Sequence, residues 1–128
     1  MPKVKATFRK HEIGRGEIWW VSLEPTIGNE TGKERPCLIL QNDLGNKNSE
    51  TTVVAPFLPG HKTYPFVVNV VPTEKNRLKG KRHLNLSQIR AIDIRRIKNR
   101  QGVLEDIYWP SIESAVCIEL GFGEVFER

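Results

Sequence analysis

The sequence predicts a small, mainly β domain: a barrel of short strands with one helix packed on it near the C-terminal end. Three observations predict it. Short runs rich in β-branched and aromatic residues recur along the chain, each bounded by Gly, Pro or Asn clusters. One stretch, beginning near residue 107, instead carries largely helical apolar spacing. The chain has 128 residues, 38% hydrophobic and 27% charged, which suits one domain with one core and argues against wholesale disorder.

In chain order, residues 1–13 read as a flexible, basic N-terminal arm without the apolar centre of a secretory signal, and residues 14–128 as a single domain. Gly14-Arg15-Gly16 punctuates the start of a strand over 17–23. Residues 24–34 hold Pro25, Gly28 and Gly32 among polar residues and form a long loop, where function usually sits. The apolar run 37–40 is a buried strand, and 41–50 reads as Asn-rich turns around Gly45. The β-branched run 51–55 pairs with the strand before it. Pro59-Gly60 makes a turn, and the loop runs to Pro65. Residues 66–71 form the next strand, and a short one follows at 82–86 after a basic segment. Residues 87–97 fit either a short helical turn or an irregular strand. Ile107, Ile112, Ala115, Val116, Ile118 and Leu120 mark the terminal helix, with Pro110 in its first turn and Gly121 as its stop. The helix therefore starts near Trp109 or about one turn earlier.

Net charge is +5, but its distribution says more. Between Lys75 and Arg100 lie ten basic residues and one acid, Asp93; after Gln101 lie six acids and one base, Arg128. Such a basic block attracts phosphates or an acidic protein partner, although charge alone fits a plain solvated face equally well. No apolar run approaches the roughly 20 residues that span a bilayer. Cys37 and Cys117 stand apart and read as small apolar residues in a reducing cytosol, which places the protein in the cytoplasm. His11, His61 and His83 form no metal motif, so neither a metal nor a cofactor is expected.

Three blocks carry a resemblance: GEIWWVSLEPTIGNE at 16–30, RPCLILQND at 35–43 and QIRAID at 88–93. Their order and spacing resemble the MazF/PemK (Kid) toxins over about residues 14–120. The resemblance implies an SH3-like barrel with a C-terminal helix, a symmetric homodimer and a neutralising acidic antitoxin. It also implies metal-free, sequence-specific cleavage of single-stranded RNA, leaving a 2′,3′-cyclic phosphate and a 5′-hydroxyl. Relatives with the same barrel act on DNA gyrase instead, so the fold alone does not specify the activity.

Such cleavage uses the 2′-hydroxyl as nucleophile, and the protein must move protons and stabilise the phosphorane. The resemblance assigns Arg35 to the phosphorane, which the planar guanidinium fork suits. It makes Glu30 the loop glutamate, either a general base or, as favoured here, a residue that holds the loop and orients Arg35 by an ion pair. Asn29 stands where one branch of the family has a histidine, and Lys33 is a phosphate contact or merely exposed. The chain departs from the family pattern at Leu58, which takes the place of a threonine that works beside the arginine. Asn85 and Ser87 take the places of an arginine and an aspartate that assist in the PemK branch. We retain Arg35 and Ser87 as candidate catalytic residues. Candidate RNA contacts are Asn29, Glu30, Lys33, Leu58, His61, Lys62, Lys81, Arg82, His83, Asn85 and Gln88. His61 and His83 are candidate proton carriers, though each also fits an exposed loop or strand-end histidine. Gln88 also fits a buried structural amide, and Trp19 and Trp20 fit core packing better than base stacking. The expected function is that of an endoribonuclease toxin. The alternatives are a non-catalytic relative that binds nucleic acid or a protein such as gyrase, and a basic module of a larger assembly.

Overall fold

A computed structural model describes residues 12–123. The arm before Glu12 and Phe126 of the C-terminal tail lie outside the described residues. Seven strands form one antiparallel sheet system: β1 (Glu17–Ser22), β2 (Glu34–Ile39), β3 (Thr51–Pro59), β4 (Val67–Val70), β5 (Arg82–Asn85), β6 (Arg90–Asp93) and β7 (Ile97–Val103). A short helix α1 (Asp43–Asn48) joins β2 to β3, and α2 (Trp109–Leu120) ends the fold. The hydrogen-bonded order is β4-β5-β3-β2-β1-β7, with β6 also on β3. The sheet does not close: β4 and β7 end the path without pairing to each other, so the expected barrel is an open one.

Strand β3 organises the whole. Its first half pairs with β6 (Thr51 to Val54 against Asp93 to Arg90) and its last residues with β5 (Phe57 to Pro59 against Leu84 to Arg82). Its middle pairs with β2, Val54 to Pro56 against Ile39 to Cys37. Because side chains alternate across a strand, β1, β2 and β3 each send residues into two cores. Ile18, Leu38, Ala55, Phe57, Leu84, Ile112 and Ala115 belong to one, beneath α2. Trp19, Val21, Cys37, Ile39, Val54, Ile92 and Ile97 belong to the other.

Two elements differ from expectation. The 41–50 segment contains α1, capped by Asn42, whose side chain accepts from the Gly45 amide at 2.8 Å. Buried Asn46 then bonds Thr52 Oγ1 at 2.7 Å, tying this helix to β3. The 87–97 segment resolves into both alternatives at once: 3₁₀ turns at Leu86–Gln88 and Ile94–Arg96 flank β6. The terminal helix starts at Trp109, one 3₁₀ turn after Asp106, with Pro110 in its first turn and Gly121 left-handed at its end. Of its apolar residues, Ile112 and Ala115 are buried, whereas Ile118 and Leu120 stay exposed.

The basic 71–81 segment is folded rather than loose. Buried Asn76 donates to the Val71 carbonyl at 2.9 Å and to Glu105 Oε1 at 3.0 Å, and its own Oδ1 accepts from Thr73 and Leu78 amides, both at 3.0 Å. This segment packs on Gly102 of β7, where a Cβ would lie 2.5 Å from the Lys75 carbonyl oxygen and 2.7 Å from that of Asn76. Backbone cannot retreat as a flexible side chain can. Gly102→Ala should therefore destabilise the fold by about 1–3 kcal/mol, as overpacking does. Chemical denaturation would show it as a lowered midpoint, and an unchanged midpoint would mean the 71–81 segment is free to move away.

Candidate active site

The register places the candidate residues on one face. On β2, Arg35 alternates with Pro36 and so shares the face of Cys37 and Ile39. Cys37 pairs with Pro56, and Leu58, two residues on, lies on the same face of β3. Leu58 pairs with His83, and His83 with Asn69. Leu58, His83 and Asn69 thus form one row across β3, β5 and β4, and Arg35, at the start of β2, lies on the same face. Asn85 and Arg90 share this face through the same ladders.

Loop 23–33 overhangs the row and is held at many points. Leu23 N donates to the Lys33 carbonyl at 2.9 Å, and Lys33 N to Glu24 Oε2 at 2.6 Å. Lys33 takes a left-handed backbone conformation, φ 68°, and its side chain is exposed. Glu30 Oε1 accepts from Ile27 N at 2.7 Å, closing a turn that leaves Asn29 exposed at its tip. Glu30 thus bonds the backbone of its own loop and makes no ion pair with Arg35. Arg35 Nε donates instead to the Gly32 carbonyl at 3.3 Å. Arg90 donates to the Leu23 carbonyl at 3.1 Å, and Arg96 to the carbonyls of Ser22, at 3.2 Å, and Glu24.

Gln88 ties the two halves together. Its Oε1 accepts from the Thr31 amide at 3.0 Å, so it anchors the loop. Asn85 Oδ1 accepts from Ser87 N at 2.9 Å and from Ser87 Oγ at 2.6 Å, capping the 3₁₀ turn that carries Gln88. Ser87 is thus engaged in structure rather than free. His83 is buried, 4% exposed, where an exposed position was expected. Its Nδ1 lies 3.0 Å from the Gly60 carbonyl, so it donates there and pins the start of the 60–65 loop. His61, Lys62 and Lys81 are exposed on or beside that loop. Arg82 is half-buried, with Nε buried and unpartnered among the described residues. Leu58 is half-buried and belongs to neither core.

Sequence reasoning left three contributors out. Arg90 lies inside the third motif block and could have been suspected from it. Thr31 and Asn69 act through a backbone amide and a loop clamp, and no residue pattern announces either. The tryptophans behave as expected: Trp19 is buried, 7% exposed, and half-buried Trp20 spends its Nε1 on Gln101 Oε1 at 2.7 Å. The basic block is not one patch, because Arg90 and Arg96 bind carbonyls, Arg95 pairs with Asp93 at 3.0 Å, and Arg100 faces Glu17 at 3.4 Å. Among the described residues, no group of three or more His, Cys, Asp or Glu could hold a metal ion. No helix among them is long and apolar enough to cross a membrane.

The chain matches the family described as PemK-like, MazF-like toxin of type II toxin–antitoxin systems over residues 14–120. It is 34% identical over 112 residues to the endoribonuclease MazF of Staphylococcus epidermidis, covering 87% of this chain and 93% of that protein. Its fold is similar to that of MazF from Deinococcus radiodurans, with a TM-score of 0.73 and 22% identity over 86% of this chain and 97% of that one. It is also similar to a mycobacterial endoribonuclease solved with its cognate antitoxin, with a TM-score of 0.70 and 18% identity over 88% of this chain and 99% of that one.

Cys37 reports on this site. Burial pushes its thiol up to about 12 from 9.0, although the charges of Arg90 and Arg35 pull the other way. The native thiol stays protonated while the unfolded one ionises from about pH 9, so this group's contribution to stability is complete below pH 9 and is lost as pH rises toward 12. A thiol reagent at pH 8 should leave Cys37 unmodified in native protein and label it on unfolding. Mass mapping that finds native Cys37 labelled as fast as unfolded Cys37 would mean that this face opens.

Proposed function

The chain belongs to the PemK-like, MazF-like toxins of type II toxin–antitoxin systems, and we propose that it is an endoribonuclease toxin whose Arg35 stabilises the cleaved phosphate. The observation that carries the proposal is the placement of Arg35. It stands at the start of β2, on a face edged by the 23–33 loop, with Leu58 on that same face and exposed cations beyond. Single-stranded RNA lies along this face, and its recognition is sequence-specific through the two loops.

In the reaction, the 2′-hydroxyl oxygen attacks the adjacent phosphorus while the bond to the 5′-oxygen breaks. The products are a 2′,3′-cyclic phosphate and a 5′-hydroxyl, and no metal takes part. One proton leaves the 2′-hydroxyl and one reaches the 5′-oxygen. Arg35 supplies donors where the phosphorane gains charge, held by its Nε bond to Gly32. Glu30, Gln88 and Asn85 position the loop and its anchor. Of the two histidines His83 serves as a pin, so His61 is the one free to carry a proton. Asn29, Lys33, Lys62 and Lys81 contact the RNA. The second reading, a non-catalytic binder, rests on Leu58, which supplies no hydroxyl beside the arginine.

We assign the protein two protein partners, both in the cytoplasm. One is an acidic antitoxin that competes with RNA for this face. The other is a second copy, met by the apolar surface that Ile118, Leu120 and Phe122 leave exposed beside a groove of about 830 Å³ under α2.

With mixed-sequence RNA and EDTA present, the wild type should cut and leave cyclic phosphate ends. Arg35→Ala should slow cutting on the order of a hundredfold or more, because one transition-state donor is worth roughly 3 kcal/mol. RNA affinity should fall much less. Leu58→Thr should keep or raise the rate at little cost in stability, since Leu58 lies outside both cores. Cutting that survives Arg35→Ala intact overturns the site. A wild type that binds RNA and never cuts selects the second reading, and rescue only by added metal overturns the chemistry.

Sedimentation at micromolar concentration should give a dimer, and RNA should displace an acidic antitoxin segment in a salt-dependent manner. A monomer would refute the second-copy assignment. RNA and antitoxin bound together would refute the shared face.

A further inference from the structure

Resting on the ribonuclease reading, we propose that Tyr64 is a base-stacking subsite, receiving one unpaired base of the RNA a few nucleotides from Arg35. Tyr64 and Phe66 form a parallel stack, ring centroids 5.2 Å apart and planes 3° from coplanar. Phe66 is half-buried, whereas Tyr64 is 56% exposed. A rigid ring with one side on a neighbour and more than half its surface in water is an unfinished stack. A nucleobase completes it, because every base has a π-face.

The loop that carries the ring is ordered before any ligand arrives. Asn69 clamps Lys62 from both sides: its Nδ2 donates to the Lys62 carbonyl at 2.7 Å, and its Oδ1 accepts from the Lys62 amide at 3.0 Å. Val67 N donates to the Tyr64 carbonyl at 3.2 Å, and Leu86 N to the Phe66 carbonyl at 2.9 Å. Gly60 is held by His83 and by its own amide on the Lys81 carbonyl at 3.0 Å. Little conformational entropy remains to be lost on binding.

Placement supplies the substrate class. Asn69, which clamps the loop, lies on the face that carries Arg35. Three strand steps separate β4 from β2 in the sheet, about 14 Å at the usual inter-strand spacing, which a few nucleotides of single strand cover. Exposed His61, Lys62 and Lys81 lie on or beside the same loop, as a polyanion requires. Trp19 and Trp20 do not compete for the role, since Trp19 is buried and Trp20 is bound to Gln101.

The test uses the full-length protein and a synthetic single-stranded RNA that the wild type cuts. Tyr64→Ala should raise KM about tenfold or more, with kcat falling by less, and should relax the preference at one nucleotide position. Tyr64→Phe should retain wild-type values. Tyr64→Leu, which keeps bulk without a π-face, should behave as Tyr64→Ala. With 2-aminopurine walked along a copy carrying a 2′-O-methyl group at the cut site, one position should be quenched on binding, and Tyr64→Ala should abolish that quench. An unchanged KM, no quenched position, or a full rescue by Tyr64→Leu overturns the subsite while leaving the ribonuclease reading in place. Loss of antitoxin binding with RNA binding unaltered overturns it in favour of a protein partner. A wild type that neither cuts nor binds RNA overturns the ribonuclease reading itself, and the subsite with it.

Discussion

The structure depends on the pairing of β3 along both of its edges. Nine residues in one strand hold β2 on one side and, in succession, β6 and β5 on the other. A slip of one residue would exchange the two cores, turning Phe57 to the face of Val54 and Leu58 with its row to the opposite face. The apolar content of both faces therefore specifies the register, and the register assembles the site. Arg35, Leu58, His83 and Asn69 share one face because four strands are in step, although they span residues 35 to 83 of the chain.

A second consequence concerns arginine. Loop 23–33 has exposed residues but few mobile ends: the carbonyls of Ser22, Leu23 and Glu24 are each taken by Arg90 or Arg96. Guanidinium groups suit this because several N–H donors in a fixed plane can satisfy neighbouring carbonyls at once. A charge count cannot separate these arginines from those that meet solvent. The basic block from Lys75 to Arg100 reads as a single patch in sequence, yet four of its arginines are committed to carbonyls or carboxylates. The cations left exposed beside the loops do the electrostatic steering on the ribonuclease reading, with Lys62 and Lys81 near Tyr64 and Lys33 near Arg35.

What was legible in the sequence was what burial on both sides dictates. Strands β1 to β4 announced themselves because they hold β-branched or apolar runs, and the terminal helix because Pro110 and Gly121 mark its ends. Strand β7 was not legible: as an edge strand with Lys98, Asn99 and Arg100 exposed, it has no apolar alternation to read. Helix α1, at six residues, is too short for a period and is stabilised by the Asn42 cap and the contact of Asn46 with Thr52. The site divides in the same way. Arg35 and Gln88 came from motif blocks. The burial of His83 depends on the Gly60 carbonyl returning over β5, a tertiary fact that no local pattern encodes. Tyr64 was overlooked because two aromatics beside a proline look like any loop until their rings are seen to stack.

On the ribonuclease reading, Arg35 and Tyr64 carry different parts of one task. Donors that meet charge only as it develops lower the barrier, whereas contacts equal in ground and transition states set affinity alone. Arg35, beside Gly32 and on one face with an apolar Leu58, is suited to the first. Tyr64, about three strands away, cannot reach the reacting atoms and is suited to the second. On the ribonuclease reading, the departure at Leu58 shifts the burden within the site: charge stabilisation stays with the arginine, and proton movement passes to His61 on the 60–65 loop.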